Sequence, residues 1–195
     1  MHGRNILSCM GNFLEKDRSM KSKKKQFNTS DEFIKFTPSG KDICLAHERA
    51  KEMGVLPNSY TRGLGRMAGC LGEIAVNKYL PRSKYVGDVS YCFDLIYKKK
   101  EIEIKSKTCS SVPKPEYSAF VNCKNNPVLN NDIYFFTRVR RDLMQVWLVG
   151  WLPTTQLLKK AKFVKRGDSD KDGFVFKSSG LHIPINKLNS PKKIF

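Results

Sequence analysis

The chain has 195 residues, enough for one domain with a sizeable core, and its 36 lysines and arginines against 18 acidic residues leave a net charge of +18. A surplus of that size attracts polyanions through counterion release, but it supplies affinity without chemistry or base specificity. No apolar run reaches the length of a membrane span and the N-terminus lacks the hydrophobic block of a secretory signal, so no membrane role is expected and the cytoplasm, of a cell or of a virus-infected host, is the expected location.

Residues 1–30 are polar, and the stretch from Lys16 to Lys25 has no apolar period, so they are expected to form a disordered basic arm ahead of a single domain at 31–195. Ile43, Ala46, His47 and Ala50 recur at helical spacing, predicting a helix over Asp42 to Met53 with Ser39 as a cap and Gly54 as a stop. A polar connection from Asn58 to Arg66 leads into a second helix, Met67 to Leu80, which ends before Pro81. Its Gly69 and Gly72 are expected to let it lie close against a sheet. The neighbouring glycines do not make a dinucleotide fingerprint, because no strand precedes them and the spacing is wrong.

The segment from Cys92 to Lys107 is the most informative. Phe93, Leu95 and Tyr97 alternate with Cys92, Asp94 and Ile96, and residues 101, 103, 105 and 107 are all charged around Ile102, Ile104 and Ser106. Period two of this kind predicts two strands, and the lysines from Lys98 to Lys100 form the turn between them. If the turn is closed by Lys98 and Lys99, or by four residues from Tyr97 to Lys100, Asp94 lies opposite Glu103 with Cβ atoms roughly 4.5–5.5 Å apart. Two carboxylates so placed repel unless a cation sits between them, and Mg²⁺ or Mn²⁺ suits oxygen donors completed by substrate phosphate. Lys105 shares their face and would set an ammonium beside the attacked phosphate. A slip of one residue would separate the carboxylates. An exposed cross-strand charge pair is the bland alternative.

Beyond this hairpin, Pro113, Pro115, Pro127 and many asparagines predict loop over 108–131, with a short strand from Ser118 to Val121. Asp132 to Val139 and Gln145 to Leu152 predict a second hairpin around Arg140-Arg141-Asp142. Within it Trp147, Val149 and Trp151 are expected on one face of a strand buried on both sides. Pro153 opens a short basic helix over Thr154 to Phe163. Asp168 to Gly173 starts like a calcium loop but has Ser179 where a bidentate Glu is needed, so a turn is expected, followed by strands at Gly173 to Lys177 and Leu181 to Pro184. Six widely spaced cysteines with no Cys-x-x-Cys pair suggest neither a zinc ribbon nor a disulfide framework, and are expected reduced and mostly in the core. His2, His47 and His182 are isolated.

Asp94, Glu103 and Lys105, in this order on adjoining strands, resemble the PD-(D/E)XK nuclease superfamily, and Gly69-Cys70-Leu71-Gly72-Glu73-Ile74-Ala75 is similar to the helix of its small phage-type and restriction-type members. The resemblance covers roughly residues 60 to 150. It implies an α/β (α+β) restriction-endonuclease-like core, a central mixed β-sheet flanked by helices. The implied activity is a metal-dependent DNA endonuclease working with Glu73, Asp94, Glu103 and Lys105. Asp94, Glu103, the Ile104 carbonyl and a water on Glu73 would hold Mg²⁺ or Mn²⁺, and Lys105 would orient or deprotonate the attacking water. Glu101 is the substitute for Glu103 in another register, and Gln145 is a second-rank candidate. Lys107, Lys159, Lys160 and Lys162 are candidate DNA contacts. Some members hold an iron–sulfur cluster on C-terminal cysteines, whereas this chain has none after Cys123. Members also place a helix after the Glu-x-Lys strand, and residues 108–131 do not read as one. The alternatives are a Holliday-junction-type structure-selective nuclease, a class that is small, basic and dimeric and so implies a homodimer, and a non-catalytic nucleic-acid-binding protein.

Overall fold

The computed structural model describes residues 26–29, 33–53, 64–86, 93–123, 129–170 and 173–194. The lysine run at 16–25 lies outside them. Helix α1, Gly40–Glu52, begins two residues before its expected start because Ser39 and Asp42 form a capping box. The Asp42 amide donates to the Ser39 hydroxyl, and the Ser39 amide donates to the Asp42 carboxylate at 2.9 Å. The same carboxylate pairs with Lys78 at 2.6 Å, tying α1 to helix α2, Leu64–Tyr79. Burial works against the Asp42 charge, but Lys78 and Ser39 together hold its carboxyl below the ordinary range.

Strands β1 (Phe27–Thr29), β2 (Ile34–Phe36), β3 (Lys84–Tyr85), β4 (Leu95–Tyr97), β5 (Lys100–Cys109), β7 (Ile133–Arg140) and β8 (Val146–Pro153) make a seven-stranded sheet in the order β1-β2-β8-β7-β5-β4-β3. Only β5 and β7 pair in parallel, so the sheet is mixed and the fold is α/β of the α+β kind. Phe27 to Thr29, placed in the basic arm by composition, are an edge strand of this sheet. A parallel pair needs a crossover. Here it runs through β6, Ser118–Asn122, and the described residues between β5 and β7 include no helix. Strand β6 joins β9 (Lys162–Val164) and β10 (Gly180–Pro184) in a second sheet of order β6-β10-β9.

Two cores result. One lies between α2 and the large sheet, around Leu71, Ile74, Ile102, Ile104 and Phe135. The other lies between the two sheets, around Tyr134, Phe136, Trp147, Val149, Val121 and Ile183. The parallel register pairs Glu103 with Tyr134, Lys105 with Phe136 and Lys107 with Arg138, so the charged residues of β5 share the face that looks toward the second sheet.

The expected common face of Trp147, Val149 and Trp151 does not occur. Phe136 pairs with Gly150 but Thr137 pairs with Leu148, so β8 carries an extra residue at this point. Such a bulge reverses the alternation. Trp147 and Val149 stay between the sheets, while Trp151 enters the core under α2.

The basic helix is also shorter than expected. Helix α3 spans Thr154–Lys160, and Ala161 is extended because the next residues find a ladder partner in β10. Gly173 to Lys177 form no strand, only an isolated bridge between Ser169 and Val175, because the Asp168 and Asp170 carboxylates accept the Lys165 and Phe174 amides and, with backbone bonds, close a turn there instead. Of the cysteines described, Cys70 is buried, Cys109 and Cys123 are half-buried, and Cys44 is exposed, so a core location holds for fewer than expected.

The β4–β5 connection is a two-residue turn in which Lys98 and Lys99 have φ of 49° and 63°. Both central residues at positive φ define a type I′ turn, which prefers Asn-Gly. Lysine there carries local strain, so the double replacement Lys98→Asn, Lys99→Gly should stabilise the protein by about 1 kcal/mol. The expected readout is a denaturation midpoint about 2–4 °C higher. An unchanged or lowered midpoint would show that the lysines are not strained.

Candidate active site

The hairpin adopts the register in which Leu95 faces Ile102 and Tyr97 faces Lys100. One further step sets Asp94 across from Glu103, while Glu101 is paired with Ile96 and is therefore not the partner of Asp94. Strand β4 ends its pairing here although β5 continues for seven more residues, so the ladder opens where the carboxylates stand. In that opening the Asp94 Oδ2 accepts the Ile104 amide at 2.6 Å, and the Asp94 amide donates to the Ile102 carbonyl at 2.9 Å. The N–H and C=O of a strand residue point to the same edge, so the Ile104 carbonyl also faces the Asp94 side.

Lys105 donates to Glu103 Oε1 along the same face of β5, forming an ion pair with the carboxylate still 17 % exposed and the lysine 37 % exposed. Asp94 Oδ1 and Glu103 Oε2 are the oxygens of these two carboxylates that no described residue engages.

Glu73 comes from α2, which packs on the opposite face of β5. A Cβ built on Gly72 would lie 2.0 Å from Ser106 Oγ and 2.6 Å from Thr137 Oγ1, so only glycine permits this approach. Gly69 is different, since its Cβ would meet nothing nearer than Glu73 Oε1 at 3.9 Å. The close packing expected of both glycines therefore belongs to Gly72 alone. Glu73 is buried at 7 % exposure and accepts from the Tyr85 hydroxyl at 3.1 Å. Tyr85 in turn lies under the Arg49 guanidinium, 3.6 Å from ring centre to carbon.

Asp94 joins the two sides. Burial first, then the charges of Glu103 and Glu73, push its carboxyl up to about 8, and the Ile104 amide and Lys105 only partly offset them. Glu73, Asp94 and Glu103 thus stand within one another's field, with Lys105 the cation that lowers the proton affinity of Asp94. Among the described residues no three His, Cys, Asp or Glu side chains gather closely enough to enclose a cation alone. That is compatible with Mg²⁺ or Mn²⁺, since such ions are commonly held by one or two carboxylates together with water and substrate phosphate. Asp94, Glu103 and the Ile104 carbonyl fit that donor set. Glu73 would reach it only through an intervening water or through its field on Asp94.

Lys107 lines a cavity immediately beyond Lys105, whereas Lys159 and Lys160 on α3 and Lys162 on β9 are exposed and line no part of it. Gln145 is at the far end of β8, its carbonyl bonded to the Arg140 amide. Sequence patterns gave no sign of Tyr85, Arg49 or Arg138, because each reaches this region through pairings between distant strands and helices. The chain matches no family model, and no curated protein matches it significantly.

Proposed function

We propose that this protein is a metal-dependent DNA endonuclease of the PD-(D/E)XK kind, with a restriction-endonuclease-like core and with Asp94, Glu103 and Lys105 at its centre. The observation that carries this reading is the opening of the β4–β5 ladder, where Asp94, Glu103 and Lys105 converge at a half-exposed strand edge. A surface charge ladder would leave such groups fully solvated, and a purely binding surface gains nothing from burying acids where phosphate must approach. Bound Mg²⁺ would supply charge neutralisation and an acidified water. Asp94, Glu103 and the Ile104 carbonyl would hold that ion, the Ile104 amide would fix the Asp94 carboxylate, and Lys105 would orient the attacking water and offset developing charge. Glu73 would raise the proton affinity of Asp94 and so tune the pH at which the site loads. The charge of +18 supports DNA as the polyanion.

Supercoiled, linear, single-stranded and branched DNA, each incubated with Mg²⁺, Mn²⁺ or a chelator, test this directly. Cleavage is expected only with metal, and preference for a four-way junction would identify the structure-selective class. A second readout is thermal. A carboxyl raised in the folded state is stabilising below its unfolded value near 4 and loses that contribution as pH rises toward 8. A cation that displaces the proton should therefore raise the melting temperature more at pH 8 than at pH 6. Metal-independent nicking, or no cleavage and no cation-dependent stabilisation, would refute the proposal.

A further inference from the structure

The cavity beside Lys105 has a volume of about 280 Å³ and lies between the two sheets, next to the candidate site and on the same face of β5. That is close to the lower end, about 300 Å³, of pockets that take small organic ligands. It has room for one nucleotide and none for a duplex.

Beside neutral polar residues such as Asn122 and Ser178, two kinds of wall stand out. One is aromatic: Phe120 and Phe176 stack at 6.1 Å, and Phe174 stands edge-on to Phe176 at 5.5 Å. Phe174 is 50 % exposed, an unusual position for a ring that other apolar rings border. The other kind is cationic, formed by Lys105, Lys107, Lys177 and Arg138. Among the described residues no acidic side chain lines the cavity.

Arg138 is the more telling of these. It is 5 % exposed, its guanidinium donates to the Ser118 carbonyl and lies 6.0 Å from the Tyr117 ring, and among the described residues no carboxylate pairs with it. A buried cation with neutral partners is destabilising until an anion arrives. The Lys107 side chain reaches solvent, its ammonium sits 5.8 Å from the Phe174 ring, and the burial of that end and the Arg138 charge both lower its proton affinity. A base-sized aromatic wall beside Arg138, Lys107 and Lys177, with which no carboxylate of the described residues pairs, is the chemistry of a single-stranded nucleic-acid site, while Lys105 in the same wall is held by Glu103.

We infer that this cavity receives one unpaired nucleotide of the DNA next to the scissile phosphate, its base stacked on Phe174 and its phosphate held by Arg138, Lys107 and Lys177. The inference rests on the nuclease reading for its placement beside the cut. Its binding chemistry is independent of cleavage. The enzyme would then favour DNA with an unpaired or extruded nucleotide at the cut over a perfect duplex.

Binding of the full chain to a short single-stranded DNA carrying 2-aminopurine, and to the matching blunt duplex, can be followed in chelator so that no cleavage occurs. The single strand should bind more tightly than the duplex, with quenching of 2-aminopurine on stacking. Phe174→Leu should weaken single-strand binding roughly tenfold and remove the quench, leaving duplex binding unchanged, whereas Phe174→Trp should retain both. Val112→Ala, at an exposed site outside the cavity, serves as the control. Equal affinity for both DNAs, or a Phe174→Leu protein that binds and quenches like the wild type, would overturn the pocket while leaving metal-dependent cleavage standing. A Phe174-dependent quench in a protein that cuts nothing would instead keep the pocket and remove the nuclease.

Discussion

Glu103→Ala is expected to reduce metal-dependent DNA cleavage by about 10³-fold or more, with DNA affinity unchanged or slightly raised. Glu103 supplies one of the carboxylates facing the opening of the ladder and carries the ion pair that positions Lys105. Its removal takes away a negative charge that DNA must otherwise approach, so binding has no reason to fall. Lys105→Ala should cost about 10²–10⁴-fold by loss of the group that orients water and offsets developing charge. The two replacements act on one unit, so the double variant should be hardly worse than Glu103→Ala alone. The pH profile separates chemistry from structure. Lys105 lowers the proton affinity of Asp94, so without it the acid limb of the activity profile should move to higher pH at fixed Mg²⁺. Lys105→Arg should restore that limb because the charge returns, while the rate recovers only in part because guanidinium neither deprotonates nor fits as a point charge. Near-wild-type cleavage by Glu103→Ala would remove the assignment.

The second large effect concerns Gly72. Gly72→Ala would set a methyl group onto the hydroxyls of Ser106 and Thr137, which are themselves hydrogen-bonded at 2.8 Å. Alanine favours the helix by about 1 kcal/mol, but overpacking of this kind costs about 1–3 kcal/mol and more when backbone must move. A net loss of about 2 kcal/mol, or a melting temperature lower by about 4–8 °C, is expected. Gly72→Val should be worse and should leave little folded protein. Because α2 would be lifted from β5, Glu73 and its bond to Tyr85 would shift as well, so cleavage by the surviving fraction should fall too. Adding Ser106→Ala to Gly72→Ala removes the nearer clashing oxygen and should recover part of the loss, a coupling measurable in a double-mutant cycle. A Gly72→Ala protein as stable as the parent would show that α2 does not need this close approach.

The hairpin of β4 and β5 is readable from the chain because two local signals agree. The charge alternation fixes the faces, and a two-residue lysine turn fixes the register that sets Asp94 across from Glu103. The helix bearing Glu73 is equally local, ending at proline. What the sequence hides is anything decided by a distant partner. Lys84 and Tyr85 form a strand only because β4 offers them an edge, so the bond from Tyr85 to Glu73 has no spacing that would reveal it. The bulge opposite Phe136 and Thr137 leaves no local mark, yet it moves Trp151 from one core to the other. Phe163 continues a helical pattern, but β10 captures it into a strand. Arg138 looks like one more basic residue of a basic chain until β6 covers it, where among the described residues it has no acidic partner.

Strand β5 serves two masters along one stretch of backbone. Ile102, Ile104 and Ser106 press against α2, while Glu103, Lys105 and Lys107 face the opening and the cavity. Tolerance to substitution should therefore oscillate residue by residue, with even positions governing whether the molecule persists and odd ones what it accomplishes. A saturation library over residues 102–107 would separate the two traits, and it offers an engineer a place to retune activity without eroding robustness.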